Sequence, residues 1–129
     1  MFDDYYDRTG RSKPALEAKR LEHVAGLFKA LSDPLRLKIY EAIFHARTAG
    51  MTVGDLVEHT GAPQPLVSFH VKKLVNAELI LPLRPGQRRN VFQVHGTSLA
   101  DIYRWHRSLN VVIQEEIDAR IRGDKKPDG

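Results

Sequence analysis

Gln64, Ser68 and Lys72 recur at intervals of four, the spacing that stacks side chains along one side of a helix. The chemistry this set suits is the reading of base-pair edges. A glutamine amide holds a donor and an acceptor side by side and matches N6 and N7 of adenine, while a serine hydroxyl donates or accepts at several edges. Pro65 and Phe69 lie beside them. Phe69 has two readings that the sequence leaves open: apolar contact with a thymine methyl, or a turn back over the helix start. Lys72, Lys73, Arg84, Arg88 and Arg89 suit a second chemistry, pairing with phosphate oxygens, which orients a protein on a duplex without reading its sequence. One arginine near Pro85-Gly86 suits a narrow minor groove. The expected DNA-binding set is therefore Gln64, Pro65, Ser68, Phe69, Lys72, Lys73, Arg84, Arg88 and Arg89.

These five cations account for the charge excess of the whole chain. Residues 63–95 carry them against Glu78 alone, and the remaining basic and acidic residues cancel, so the net +4 resides in this segment. Clustered basic charge supplies the sequence-independent part of nucleic-acid affinity. A solvated basic surface has the same composition, so charge alone does not decide.

Other chemistries lack their residues. The chain has no cysteine, which excludes disulfides and thiolate metal sites. His23, His45, His59, His70, His95 and His106 form no i, i+4 pair, so no metal site and no cofactor is expected. A site between subunits, joining His23 to His106 or Glu116, stays open. There is no nucleophile elbow, no phosphate loop and no carboxylate pair placed for acid–base work, so an enzyme is not expected. The apolar runs are too short to span a membrane, and the N-terminus lacks the basic and apolar regions of a secretion signal. A cytoplasmic location is the resulting expectation.

The elements that must position the cationic and polar set follow from hydrophobic periodicity. The 129 residues suit one domain with one core. Apolar spacing predicts helices over 14–31, 34–46, 52–59 and 64–77, two strands around 79–81 and 90–94, and a last helix over 98–122. Asp33 and Pro34 are a good N-cap and first helical residue. Thr52 with Asp55 resembles a capping box, Gly61 suits a left-handed helix end, and Thr97 or Ser98 suits the cap of the last helix. Thr48 to Met51 reads as a loop. Within 64–77, Val67, Val71 and Leu74 should face the second and third helices, with Gln64, Ser68 and Lys72 opposite. His70 reads as a buried, hydrogen-bonded imidazole or as a phosphate or base contact. Residues 1–12 and 123–129 are expected to be disordered.

The fold class predicted is mostly α with a small β-hairpin: a dimeric winged helix-turn-helix of about five helices and a two-stranded wing. The terminal helices, 14–31 and 98–122, are apolar for so small a domain, and such surface usually marks association. Leu21, Val24, Trp105, Leu109, Val112 and Ile113 are the expected dimer contacts. The alternative is a monomer whose terminal helices cover each other.

With these residues in place, the chain resembles the ArsR/SmtB family of winged-helix bacterial repressors over about residues 21–108. The resemblance is carried by Phe28-Lys29-Ala30-Leu31-Ser32-Asp33-Pro34-Leu35-Arg36-Leu37-Lys38-Ile39, and then by Gln64, Val67, Ser68, His70, Lys72, Leu74, Ala77 and Leu79. It implies a homodimer joined by the first and last helices, operator binding, and release by a small inducer that is often a metal ion. The family's Cys-x-Cys positions fall on Thr52 and Gly54. Its last-helix ligand positions fall on Asp101, Tyr103, Gln114 and Ile117, so neither ligand set is present. The glycine usual after the recognition helix is Glu78, which argues against a left-handed turn there. Pro63 and Pro65 stand where Ser is common, which favours a later helix start.

The function expected is a sequence-specific, DNA-binding transcriptional regulator: a homodimeric repressor released by a small-molecule inducer. The alternatives are a winged-helix interaction module without DNA binding, a metal sensor with a histidine/carboxylate site, and an organic inducer held near Tyr103 and Trp105.

Overall fold

The computed structural model describes residues 8, 9, 13 and 16–123. The disorder expected for 1–12 and 123–129 falls almost wholly outside them. Five helices and one hairpin follow in order: α1 (Glu17–Ala30), α2 (Pro34–Ala46), α3 (Val53–Thr60), α4 (Gln64–Asn76), β1 (Ile80–Pro82), β2 (Phe92–Val94) and α5 (Gly96–Ile121). This is the mostly-α winged helix-turn-helix that the periodicity predicts. The first helix begins at Glu17, and Pro14, the expected start, lies outside the described residues.

Local chemistry sets the boundaries. The Asp33 carboxylate accepts the Arg36 N–H at 2.9 Å and Pro34 opens α2. That backbone donor is the main cause holding the Asp33 carboxyl below its ordinary value, with the charges of His70 and Arg36 adding to it. At α3, Thr52 Oγ1 accepts the Asp55 N–H at 3.0 Å and Asp55 Oδ2 accepts the Thr52 N–H at 2.9 Å. The shorter aspartate thus completes the capping box. Gly61 ends α3 in the left-handed region, its N–H reaching Val57 O at 2.8 Å.

The prolines do not delay α4. Pro63 takes the N-cap position and Pro65 lies in the first turn, where an N–H has no intrahelical partner. The far end of α4 corrects a second expectation. Glu78 adopts φ +59, so the left-handed turn forms without glycine. Glu78 N–H bonds Val75 O and Leu79 N–H bonds Leu74 O, each at 3.0 Å, the paired pattern of a Schellman motif. Two hydrogen bonds and the burial of Leu79 outweigh the steric cost of a side chain there.

The cap of α5 also differs from expectation. His95 is the N-cap residue and offers no side-chain hydrogen bond, while Ser98 lies inside the helix and bonds Glu78 O. The start of α5 is instead fixed by the hairpin, through His95 N–H to Leu79 O at 2.9 Å.

The core sits between α2, α3, α4 and the base of the hairpin. Ile39, Ile43, Leu56, Val67, Leu74, Leu79 and Ile80 are fully buried. Leu27 joins this core from α1. The strands pair antiparallel, with Ile80 opposite Val94 and Pro82 opposite Phe92. The segment read as a loop does more than connect. Arg47–Ala49 forms one 3-10 turn, and Met51 then pairs with Phe92 through N–H···O contacts of 3.0 and 2.8 Å. Gly50 permits this approach: at φ +65, a Cβ there would lie 2.5 Å from Val91 Cγ1 and 2.6 Å from Phe92 O.

The terminal helices touch at one end. The Phe28 and Trp105 rings meet edge to face at 5.2 Å between centroids, and His23 Nε2 is 2.8 Å from Asp101 Oδ2. Among the described residues, no helix is long and apolar enough to cross a membrane.

Candidate nucleic-acid interface

The inward side of α4 is Val67, His70, Val71 and Leu74, all buried against α2 and α3. The polar side is arranged differently from the simple opposition that the spacing suggested. At 3.6 residues per turn, the positions farthest from Val67, Val71 and Leu74 are Asn76, Phe69 and Pro65. Ser68 and Lys72 are turned toward the hairpin. Gln64 Nε2 donates to Ser68 Oγ at 2.9 Å, so the two share one hydrogen-bonded unit. Gln64 is exposed and Ser68 half-buried.

Phe69 stands on the outermost side and is 52% exposed. It does not turn back over the helix start. Its ring faces the following turn instead, with Lys73 Nζ 5.4 Å from the centroid. A cation over an aromatic face is attracted by the ring quadrupole. The pair therefore presents an apolar surface and a charge together.

His70 is buried, as one reading had it, but it is not hydrogen-bonded. Its Nε2 lies 3.7 Å from Asp33 Oδ1, an ion-pair distance, and its Nδ1 has no partner among the described residues.

The hairpin places Arg84, Arg88 and Arg89 in solvent. Pro85-Gly86 makes its turn, with Gly86 at φ +84 and Gln87 N–H on Arg84 O at 3.1 Å. Sequence reasoning missed Asn90. Its side-chain amide bonds both backbone groups of Arg84, accepting from N–H at 2.9 Å and donating to the carbonyl at 2.6 Å. An asparagine closing a basic loop was the available signal. A cleft of about 700 Å³ separates α4 from the hairpin. Ser68 and Lys72 line one wall, Arg88 and Arg89 the other, and Thr52 and Gly54 close its end. The family's thiolate positions thus border this cleft with a hydroxyl and a bare backbone.

The expected dimer residues divide. Val24 is buried within the chain at 3% exposure, and Trp105 is half-buried against Phe28. Leu21, Leu109, Val112 and Ile113 are exposed, and Ile117 and Ile121 extend the same apolar series along α5. Within the chain His23 Nε2 meets Asp101. Among the described residues no cluster of three or more histidine or carboxylate groups is placed to hold a metal ion.

Comparison with known proteins follows the same segments. Residues 31–82 match a family model described as a helix-turn-helix domain. The chain is 37% identical over 79 residues to the transcriptional repressor SdpR of Bacillus subtilis, covering 61% of this chain and 83% of that protein. It is 37% identical over 87 residues to the HTH-type transcriptional regulator Rv2034 of Mycobacterium tuberculosis, covering 64% of this chain and 78% of that one. In fold it is similar to an ArsR-like transcriptional regulator from Rhodococcus sp. RHA1, with a TM-score of 0.63 at 17% identity, over 82% of this chain and 96% of that one.

Proposed function

The chain belongs to the ArsR family of winged helix-turn-helix transcriptional regulators, and from that premise we propose that it is a homodimeric repressor whose α4 reads an operator. The observation that carries the reading is the shared cleft. Ser68 and Lys72 of α4 and Arg88 and Arg89 of the hairpin converge on one side of the molecule. A helix in the major groove would then set the hairpin over the neighbouring backbone.

In this arrangement Gln64 and Ser68 act as a coupled pair at base edges, and Phe69 with Pro65 supplies apolar contact for thymine methyls. Lys72, Lys73 and Arg84 reach phosphates, and Arg88 and Arg89 reach phosphate or the adjacent minor groove. The exposed series Leu109, Val112, Ile113 and Ile117, with Leu21 beside it, supports pairing of two copies. Two copies present two α4 helices to half-sites about 34 Å apart. An apolar hollow on α5, lined by Leu99, Ile102, Tyr103 and His106, supports release by a small organic inducer.

The test is a fluorescence-anisotropy titration against the DNA upstream of the protein's own coding region, beside a scrambled duplex. Preference for the upstream duplex is expected, with log K falling against log salt at about −0.9 per phosphate neutralised. Equal, salt-insensitive binding to both duplexes would refute the reading.

A further inference from the structure

We propose that Asn90 is a positioning residue for DNA binding, holding the hairpin arginines in place without touching the DNA. The proposal rests on the hairpin reading above.

The backbone ladder ends before the arginines begin. Its outermost rung is Leu83 N–H to Val91 O at 2.9 Å. Beyond it lie Arg84 to Arg89, all exposed. A short, exposed, like-charged loop beyond the last rung would ordinarily sample many conformations. Asn90 supplies one more closure by another route, since its amide takes both the N–H and the carbonyl of Arg84. A primary amide carries a donor and an acceptor on two separate atoms of one short branch. Aspartate lacks the donor, and serine has a single polar atom.

A second closure works inside the first. Pro85 and Gly86, the latter at φ +84, have the residue pattern of a type II turn, and Gln87 N–H returns to the same Arg84 carbonyl. Arg88 and Arg89 are therefore held between a closed turn and a clamped residue. They face the cleft whose other wall is Ser68 and Lys72. A binding loop fixed in its bound shape avoids the ordering loss that otherwise opposes association. Both ends of the Asn90 amide are engaged with Arg84, so its contribution runs through the loop.

The experiment combines Asn90→Ala with Arg84→Ala/Arg88→Ala/Arg89→Ala in a double-mutant cycle, titrating each protein against a preferred and a scrambled duplex. Asn90→Ala is expected to weaken both duplexes by the same factor, about tenfold. It is expected to leave the helical melting midpoint in place, to speed exchange of the Arg84 amide, and to add no loss in the background where Arg84, Arg88 and Arg89 are all alanine. A full additional loss in that background would show Asn90 acting on its own and overturn the proposal. Loss confined to the preferred duplex would make Asn90 a base reader and also overturn it. If the arginine variants weaken binding and Asn90→Ala does not, the clamp fails while the DNA reading stands. If the arginine variants bind like wild type, the hairpin assignment fails and the clamp with it. Exchange in the wild-type protein is a further check that needs no variant: an unprotected Arg84 amide would overturn the clamp.

Discussion

Ser98 Oγ donates to the Glu78 carbonyl at 2.6 Å, fastening the first turn of α5 to the residue that terminates α4. Ser98 is buried, and Glu78 holds the left-handed conformation that aims its carbonyl there. The helix proposed to read DNA and the helix proposed to carry the dimer are thus joined by one side chain. Ser98→Ala is expected to destabilise the fold by about 1 kcal/mol, the usual net worth of such a bond. Urea unfolding followed by helical circular dichroism measures it, and an unchanged midpoint would show that the bond contributes nothing.

Glu78 itself is a place to gain stability. A side chain in the left-handed region carries a steric cost that glycine lacks, partly offset by glycine's greater freedom in the unfolded chain. Glu78→Gly should raise stability by about 0.5–1 kcal/mol. The urea midpoint should move up with its slope unchanged.

The two residues also mark where the sequence was readable. Helix existence, the Asp33 and Thr52 caps and the Gly61 stop follow from local chemistry and appear as expected. The turn at Glu78 ran against its residue type, because tertiary hydrogen bonds and the burial of Leu79 overrode a local preference. Thr97 or Ser98 was expected as a cap, and the Ser98 hydroxyl instead serves a carbonyl twenty residues earlier. The candidate site was legible as a set of residues on α4 and the hairpin. Its internal geometry was not. Spacing by fours gives a shared side of a helix but not its direction relative to the core, and an asparagine closing a basic loop does not say which backbone groups it will hold, here those of Arg84.

Tyr40 offers a pH test. It is buried, and its hydroxyl meets no hydrogen-bonding partner among the described residues. Burial raises its pKa above the ordinary 10.0 by disfavouring the phenolate. The unfolded chain ionises at the ordinary value while the folded chain resists. Its contribution is therefore full below that pH and is lost as pH rises through the folded value. Tyr40→Phe should remove this alkaline component and hold or raise stability at neutral pH by roughly 1 kcal/mol. Thermal melts at neutral and alkaline pH would reveal it, and a large loss at neutral pH would mean the hydroxyl has a partner.

For the proposed dimer, Leu109→Asp with Val112→Asp puts two carboxylates into the exposed series on α5. Sedimentation of the wild type should give about twice the 14.7 kDa chain mass, and the variant the chain mass alone. Equal masses would place the interface elsewhere.

Base and phosphate contacts separate on DNA. Gln64→Ala should narrow the difference between preferred and scrambled duplexes by about 1–3 kcal/mol. Because Gln64 donates to Ser68, the two substitutions should be non-additive. Arg88→Ala should weaken every duplex alike and lower the salt slope by about one. Unchanged preference after Gln64→Ala would remove that residue from the reading set.

The pairing of Met51 with Phe92 has one further effect. It occupies the outward backbone groups of Phe92, so that β2 is bonded to β1 along one flank and to Met51 at one point of the other. On the β1 edge the alternation of the ladder turns the nitrogen of Pro82 outward, where it has no hydrogen to donate. A passing strand would find a short edge with a missing donor, which is how native sheets discourage edge-to-edge aggregation. Edge-to-edge pairing through this sheet is thereby discouraged, in keeping with the helix-to-helix dimer proposed above.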